Sequence, residues 1–208
     1  MKSVYLIRHG ETNANLQEYV PSKEEPLNAT GVRQANELAS RVSHIAFEKI
    51  FSSDFLRAQQ TAEPIVKTKT VDIVVDPCFG EVIEPSSLFS VSENDELVQT
   101  HRKNRNANVE NPDWRMEDGE NFSDVISRVN VARLMLEKDS AQSILVNSHG
   151  FFIQLFTATI LLDAHTPTDA WFKLACRLKA SNAGITLFTI SDNQWELVTF
   201  NDHAYFAE

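Results

Sequence analysis

The chain has 208 residues, of which 42% are apolar and 23% are charged, as is typical of one globular domain with a substantial core. Its 19 basic and 29 acidic residues give a formal net charge of −10, which argues against nucleic-acid and membrane-surface partners. The longest nearly apolar run, 151–162, is too short to span a bilayer, and the start has no apolar segment of secretory length. Because Cys78 and Cys176 fit no metal or redox spacing, we predict one cytoplasmic domain, 1–208, that is a monomer or a homodimer.

Predicted strands and helices alternate along the first part of the chain. Asn28 is a good N-cap for a helix whose apolar positions, Val32 and Leu38 among them, recur at helical spacing. Pro64 falls inside the next predicted helix and is expected to distort it. The predicted elements are a strand at 3–7, a helix at 29–43, a strand at 49–52, a helix at 56–68 and a strand at 71–75.

The pattern breaks between about 77 and 119, where loop residues are frequent and periodicity is weak. Further on, Asp192 and Asn193 indicate a tight turn between the last two strands. Alternating strands and helices predict an α/β fold, a three-layer α/β/α sandwich around a mostly parallel sheet, with an antiparallel edge from the final hairpin. The later elements are a helix at 121–138, a strand at 143–147, helices at 150–162 and 167–174, and strands at 184–190 and 195–200.

Basic side chains follow three of the predicted strands, at the position where open α/β sheets bind ligands. Arg8 and His9 follow the first strand. Arg57 opens the helix after the second strand, and His149 follows the strand at 143–147. If these strands are parallel, the four side chains meet at one edge, where helix N-termini add backbone donors. The sequence thus predicts a cationic cup of the right size for one phosphoryl group.

Each of these residues also has a simpler interpretation. A lone arginine such as Arg57 is more often a surface residue, and a lone histidine is more often a hydrogen-bonded structural one. His9 and His149 could also ligate a metal, but two adjacent arginines repel a dication and neither histidine stands in a recognised ligand spacing. The joint occurrence at three strand ends favours the phosphoryl cup, and we predict no metal site and no cofactor.

Short motifs spread over almost the whole chain carry a resemblance to one family. They are LIRHGET at 6–12 with Asn15, PLN at 26–28 with Gly31, SSDFLRAQQTA at 52–62, DGE at 118–120, VNSHG at 146–150 and SNAG at 181–184. In this order they resemble the motifs of the histidine phosphatase superfamily, whose fold is called phosphoglycerate-mutase-like. The chain is therefore similar to a single histidine phosphatase domain of the phosphatase branch.

The resemblance implies a role for each residue of the predicted cup. His9 would attack phosphorus and become a phosphohistidine. Arg8, Arg57 and a protonated His149 would hold the phosphoryl oxygens and the charge that develops on them.

Further roles follow from the same resemblance. Thr12 and Asn15 would add hydrogen bonds to the substrate, and Gly150 would lie beside the phosphoryl group. A carboxylic acid must protonate the leaving alkoxide and later help to deprotonate water. Glu81 occupies the position of that acid in the family, and Glu84, three residues later, is the rival.

Two departures from the family pattern fall where substrate recognition usually resides. The stretch 84–89 lacks the Gly- and Trp-containing segment of many members, and Asn121 replaces a serine that is common after Gly-Glu. Both departures bear on the identity of the substrate rather than on the reaction.

The segment 85–119 is predicted to be a variable insertion or cap. It holds Trp114 and a basic cluster, Arg102, Lys103 and Arg105, in an otherwise acidic chain. One interpretation is a solvated charged helix with a single aromatic anchor. The other is a cap that adds positive charge over an anionic substrate.

We predict a metal-independent phosphomonoester hydrolase that acts through a phosphohistidine on a small phosphorylated metabolite. One alternative is a phosphoglycerate mutase, although the run 16–20 lacks the longer opening motif of the family's mutases. The alternative from another class is a catalytically silent phosphate-binding regulatory module, which the intact cup residues disfavour.

Overall fold

The computed structural model describes residues 1–162 and 166–205. The strands are β1 (Lys2–Arg8), β2 (Lys49–Ser52), β3 (Ile73–Val75), β4 (Ser143–Ser148), β5 (Ile185–Ser191) and β6 (Gln194–Asp202). The helices are α1 (Asn13–Gln17), α2 (Ala29–Arg41), α3 (Leu56–Lys67), α4 (Glu96–Ala107), α5 (Phe122–Lys138), α6 (Gly150–Leu161) and α7 (Thr168–Ala175). The described strands form one six-stranded sheet in the order β3-β2-β4-β1-β5-β6.

The central strands are buried on both faces, which is why they read as continuous apolar runs. β1 lies between β4 and β5, parallel to the first and antiparallel to the second. Its residues Val4 and Leu6 pack into one apolar core, and Ile7 packs into the other. Val146 and Leu145 of β4 divide in the same way because successive side chains of a strand point to opposite faces.

Helices cover both faces of the sheet. α5 and α6 contribute Val129 and Phe152 to the core on one face. α2 and α3 contribute Leu38 and Ile65 to the core on the other. The predicted three-layer sandwich is therefore confirmed.

The last two strands form the predicted antiparallel edge. Asp192 and Asn193 connect β5 to β6, with φ values of 51° and 61°. A left-handed conformation at both central residues is the type I′ geometry that suits a two-residue hairpin.

The structure differs from the predicted elements in several places. α4 lies inside the segment predicted to be irregular, and it was missed because Val98 and His101 are its buried residues and give too sparse an apolar period. α1 was missed because it is five residues long. β3 is shorter than the predicted strand at 71–75, and α3 continues through Pro64.

In the part of the chain that the structure describes, no helix combines the length and the apolar character needed to cross a bilayer.

Candidate active site

The carboxyl ends of β1, β2 and β4 lie side by side at one edge of the sheet. Arg8 of β1 lies opposite Ser148 of β4, so the next residues, His9 and His149, leave the sheet together with ring centroids 5.1 Å apart. β2 is the parallel neighbour of β4 on its other side, and α3, which follows β2, carries Arg57. The structure thus brings together Arg8, His9, Arg57 and His149, a set that we call the phosphoryl cup.

His9 is buried, and hydrogen bonds at both ring nitrogens fix its tautomer. Its Nδ1–H donates to the Gly10 carbonyl at 2.7 Å, which leaves the lone pair on Nε2. Arg57 Nε donates to that nitrogen at 3.2 Å. Burial first, and then the charges of Arg57 and Arg8, hold the pKa of His9 well below its ordinary value of 6.5. His9 is therefore a neutral imidazole near pH 7, the form that a nucleophile needs.

The two arginines of the cup are anchored by backbone carbonyls rather than by carboxylates. Arg57 Nη1 donates to the Ser22 carbonyl at 2.9 Å, and Arg8 Nη1 donates to the Ala180 carbonyl at 2.7 Å. Among the described residues neither arginine forms a salt bridge, so their charge is available to an anion. Burial lowers the pKa of Arg57 to about 10, which leaves the guanidinium charged near neutral pH.

Gly150 gives Arg8 the space for its side chain. A Cβ at position 150 would come within 3.2 Å of Arg8 Nε, closer than most packed contacts. That Nε is itself buried and has no hydrogen-bond partner among the described residues. The missing Cβ of Gly150 is thus explained by the arginine, and a contact with substrate stays a prediction.

His149 differs from the expectation of a protonated ring. Burial first, and then the charges of Arg57, His9 and Arg8, hold the pKa of His149 well below its ordinary value, so the ring is neutral in this structure. Its Nε2 lies 2.8 Å from Ser53 Oγ. Its Nδ1 is buried without a hydrogen-bond partner in the described part of the chain. His149 is fully buried and is not among the residues that line the cavity, so its contact with a phosphoryl oxygen stays a prediction.

Glu81 and Glu84 occupy different environments. The Glu81 carboxylate accepts backbone N–H bonds from Phe151 and Phe152, each at 3.1 Å, at the N-terminus of α6, and it lines the same cavity as His9. Glu84 instead lies beside α4, where His101 Nε2 and Arg105 Nη1 are each 3.0 Å from its oxygens. Both glutamates therefore line the cavity, but only the carboxylate of Glu84 is engaged by side chains of α4.

Thr12 and Asn15 line the cavity, but part of their hydrogen-bonding capacity serves the fold. Thr12 is the N-cap of α1, and its backbone N–H donates to Asn15 Oδ1 at 3.2 Å. Asn182, which was not among the predicted site residues, donates to that same oxygen and to the His9 carbonyl, both at 3.1 Å. Its presence in the SNAG run was the signal that could have identified it.

The missing Cβ of Gly10 is explained by the neighbouring backbone rather than by a ligand. A Cβ there would lie 2.6 Å from the Gly31 carbonyl oxygen. A Cβ at Gly31 would lie 2.1 Å from the Glu11 carbonyl. The two glycines let the loop after β1 touch the start of α2, which fixes the position of His9.

The cup opens into a cavity of about 270 Å³, near the lower end of the usual range for small-molecule sites. A group of aromatic and charged residues that also line this cavity is what we call the outer wall. It consists of Glu84, Glu93, His101, Arg102, Arg105, Trp114, Glu120, Phe122, Phe151 and Phe172.

The basic cluster of segment 85–119 is not the unpaired positive surface that one interpretation expected. Arg102 Nη2 lies 2.5 Å from Glu93 and Arg105 Nη1 lies 3.0 Å from Glu84. Lys103 is exposed and is not among the residues that line the cavity. Carboxylates from neighbouring loops thus compensate the charge of α4, which a composition-based argument could not show.

Within residues 1–162 and 166–205, no three histidine, cysteine, aspartate or glutamate side chains are grouped so that they could hold a metal ion.

Comparisons with known proteins bear on the class of this chain. The sequence model of the histidine phosphatase superfamily, branch 1, matches residues 4–203. A relative from Shigella boydii, "Probable phosphoglycerate mutase GpmB", is 32% identical over 202 residues, which cover 94% of this chain and 88% of that protein. The solved structure of a putative alpha-ribazole-5'-P phosphatase from Escherichia coli has a TM-score of 0.81 and 26% identity, covering 100% of this chain and 99% of the other. Bacillus stearothermophilus YhfR has a TM-score of 0.83 at 20% identity, covering 99% of each chain.

The α/β sandwich and the buried histidine that lies beside two arginines at a strand end are typical of a phosphoryl-transfer enzyme. The comparisons identify the family. The chain belongs to the histidine phosphatase superfamily, branch 1, and is an enzyme with phosphatase activity. The resemblance inferred from the sequence motifs is confirmed.

Proposed function

We propose that the protein is a metal-independent phosphomonoester phosphatase that forms a phosphohistidine on His9 and acts on small phosphorylated metabolites. The observation that carries this proposal is the neutral, buried His9, whose Nε2 lone pair faces the Arg57 guanidinium. A substrate phosphoryl group in the cup would take the place of that contact, since the guanidinium binds phosphoryl oxygens as well.

In the first step, Nε2 of His9 attacks phosphorus and the bond from phosphorus to the ester oxygen breaks. Arg8 and Arg57 compensate the charge on the non-bridging oxygens, as phosphoryl transfer requires. Glu81, acting as the general acid, donates a proton to the departing alkoxide. The products of this step are the free alcohol, the phosphohistidine and the Glu81 carboxylate.

In the second step, water attacks the phosphohistidine. Glu81 accepts a proton from the water, an oxygen–phosphorus bond forms and the nitrogen–phosphorus bond breaks. Inorganic phosphate leaves, and His9 and the protonated Glu81 return to their initial states. The two arginines serve both steps, because the same phosphoryl oxygens carry the charge in each.

Hydrolysis of p-nitrophenyl phosphate in the presence of excess EDTA tests this proposal. Arg8 and Arg57 already supply the positive charge that Mg²⁺ provides elsewhere, so we expect full activity after exhaustive chelation. Loss of activity on chelation, with recovery on adding one specific metal, would overturn the metal-independent mechanism.

Two alternative functions are distinguished by product analysis. The mutase alternative is favoured by the name of the Shigella boydii relative. With 3-phosphoglycerate, a mutase yields 2-phosphoglycerate, whereas a phosphatase yields glycerate and inorganic phosphate. A catalytically silent phosphate-binding module would bind phosphate without turning over either substrate.

A reducing compartment such as the cytoplasm is part of the same proposal. It is supported by the two free cysteines, Cys78, which is buried, and Cys176, which is exposed. Whether the protein is a monomer or a homodimer stays a prediction.

A further inference from the structure

The outer wall combines aromatic surface with charges that are compensated within the wall. Phe151 and Phe172 have ring centroids 6.0 Å apart, and Phe122 meets Phe172 at 5.9 Å and nearly at right angles. All three are only partly buried, and all three line the cavity. They form an aromatic face of the cavity. The helix α4 also lines the cavity, and on it the ring of His101 stacks against Trp114.

Each described arginine of the outer wall has a carboxylate partner. Arg102 pairs with Glu93 at 2.5 Å, and Arg105 pairs with Glu84 at 3.0 Å. Although burial opposes it, the hydrogen bond from His101 and the charge of Arg105 lower the pKa of Glu84 to about 2. Glu84 is therefore ionised at neutral pH. Each of the two wall arginines has a carboxylate against it, which offsets its charge, although Arg102 Nε and Arg105 Nε are buried without a hydrogen-bond partner among the described residues.

A third carboxylate of the wall, that of Glu120, is hydrogen-bonded to an arginine outside the cavity. Glu120 accepts two hydrogen bonds from Arg128, from Nε at 3.0 Å and from Nη2 at 2.7 Å, and Arg128 is not among the residues that line the cavity. A second anionic group on a substrate would either displace one of these carboxylates from its cation or lie beside that carboxylate at the same arginine. Either arrangement leaves a negative charge uncompensated in a partly buried wall, which is costly.

We infer that the outer wall is a subsite for an uncharged ring, so that the substrate is a phosphate monoester of a neutral alcohol bearing an aromatic or aliphatic ring. The phosphoryl group occupies the cup, and the ring lies between the phenylalanine face and α4. The cavity volume of about 270 Å³ suits one such compact ester. This inference rests on the proposed phosphatase function, and it assigns carboxylated and multiply phosphorylated metabolites to the disfavoured substrates.

Three alkyl phosphates whose parent alcohols have similar acidity test the inference. They are methyl phosphate, 3-methylbenzyl phosphate and 3-carboxybenzyl phosphate. We expect kcat/KM for the 3-methylbenzyl ester to exceed that for the methyl ester by at least about tenfold, because a ring gains burial against the phenylalanines. We expect kcat/KM for the 3-carboxybenzyl ester to fall at least about tenfold below that for the 3-methylbenzyl ester.

A charge variant tests the mechanism of this selectivity. Glu93→Gln removes the carboxylate that pairs with Arg102, so the penalty on the 3-carboxybenzyl ester relative to the 3-methylbenzyl ester should shrink by about tenfold. Glu96→Gln is the matched control, because Glu96 is a nearby exposed glutamate, the first residue of α4, that does not line the cavity. In this control the ratio of the two kcat/KM values should match that of the wild type.

The possible outcomes separate the inference from the proposed function. The inference is overturned if the enzyme hydrolyses p-nitrophenyl phosphate but shows no preference for the ring, prefers the carboxylated ester, or gains nothing from Glu93→Gln. The proposed function stands in all three of those cases. If p-nitrophenyl phosphate and all three esters are inert, the proposed function fails and the inference fails with it.

Discussion

The phosphoryl cup and the outer wall both contain arginines, but they use them differently. In the cup, Arg8 and Arg57 bond to backbone carbonyls, and among the described residues neither forms a salt bridge. In the wall, Arg102 and Arg105 are each held by a glutamate. The comparison teaches that the number of basic residues near a cavity does not define an anion site. What matters is whether the surrounding fold has already compensated their charge.

The largest effect on kcat is expected from His9→Ala, which changes the phosphoryl cup and leaves the outer wall intact. Removing the nucleophile from an otherwise complete cup should lower kcat more than about 10⁴-fold, because the cup then binds phosphate without a covalent route. Rapid-quench trapping on the wild type should give acid-labile phosphate on the peptide that contains His9. His44→Ala, at an exposed histidine, is the matched control and should retain activity. Trapped phosphate on any other residue would contradict the assignment.

A somewhat smaller effect should separate the two glutamates that the sequence left as rivals. Glu81→Gln removes the proposed acid and should lower kcat about 10²- to 10⁴-fold for alkyl esters. The loss should shrink with p-nitrophenyl phosphate, whose leaving group needs little protonation. Glu84→Gln is the control, since Glu84 is bound to His101 and Arg105. If Glu84→Gln shows the dependence on leaving group and Glu81→Gln does not, the assignment is reversed.

The buried charges of the cup should make the stability of the fold depend on pH. The pKa values of His9 and His149 are held well below 6.5, first by burial and then by neighbouring charges. The unfolded chain therefore binds more protons near and below pH 6.5, and stability present above that pH is lost as the pH falls. Each histidine should remove at most about 1.4 kcal/mol of unfolding free energy per pH unit, a limit approached well below pH 6.5.

Urea unfolding between pH 7.5 and pH 5 measures this dependence. A variant with glutamine at both cup histidines should show a flatter profile than the wild type. His44→Gln, at an exposed position, should retain the wild-type slope. Equal slopes for all three proteins would show that the cup histidines are not held neutral.

The smallest of these effects concerns a residue that holds the loop after β1 in place. Asn182 donates to the His9 carbonyl and to Asn15 Oδ1. Asn182→Ala removes two hydrogen bonds and should lower the unfolding free energy by about 1–2 kcal/mol. If these bonds position the loop, kcat should fall several-fold with KM little changed. Asn193→Ala, in the distant hairpin turn, is a control that should leave kcat unaffected.

The sequence predicted the site residues that lie at or directly after the ends of buried strands. Arg8, His9 and His149 directly end or follow strands that are buried on both faces, so an apolar run predicts their position without knowledge of any contact. The paired charges of the wall could not be predicted in this way. Glu84 and Arg105 are joined only through the placement of a loop against α4, and that helix carries too few buried residues to reveal its orientation. The neutral state of His149 was missed for a related reason, because it depends on burial that a motif does not contain.

The position of β1 in the sheet affects how the enzyme folds during its synthesis on the ribosome. β1, which the nucleophile directly follows, precedes the other described strands along the chain, yet both of its neighbours come late: Lys2 pairs with Ile190, and Ser3 lies opposite Ser143. β1 must therefore wait, exposed, until almost the whole chain has emerged, and closing so long a loop is slow. Catalytic activity consequently appears only with the completed fold, which makes phosphate release a direct readout of nascent chains that have finished folding.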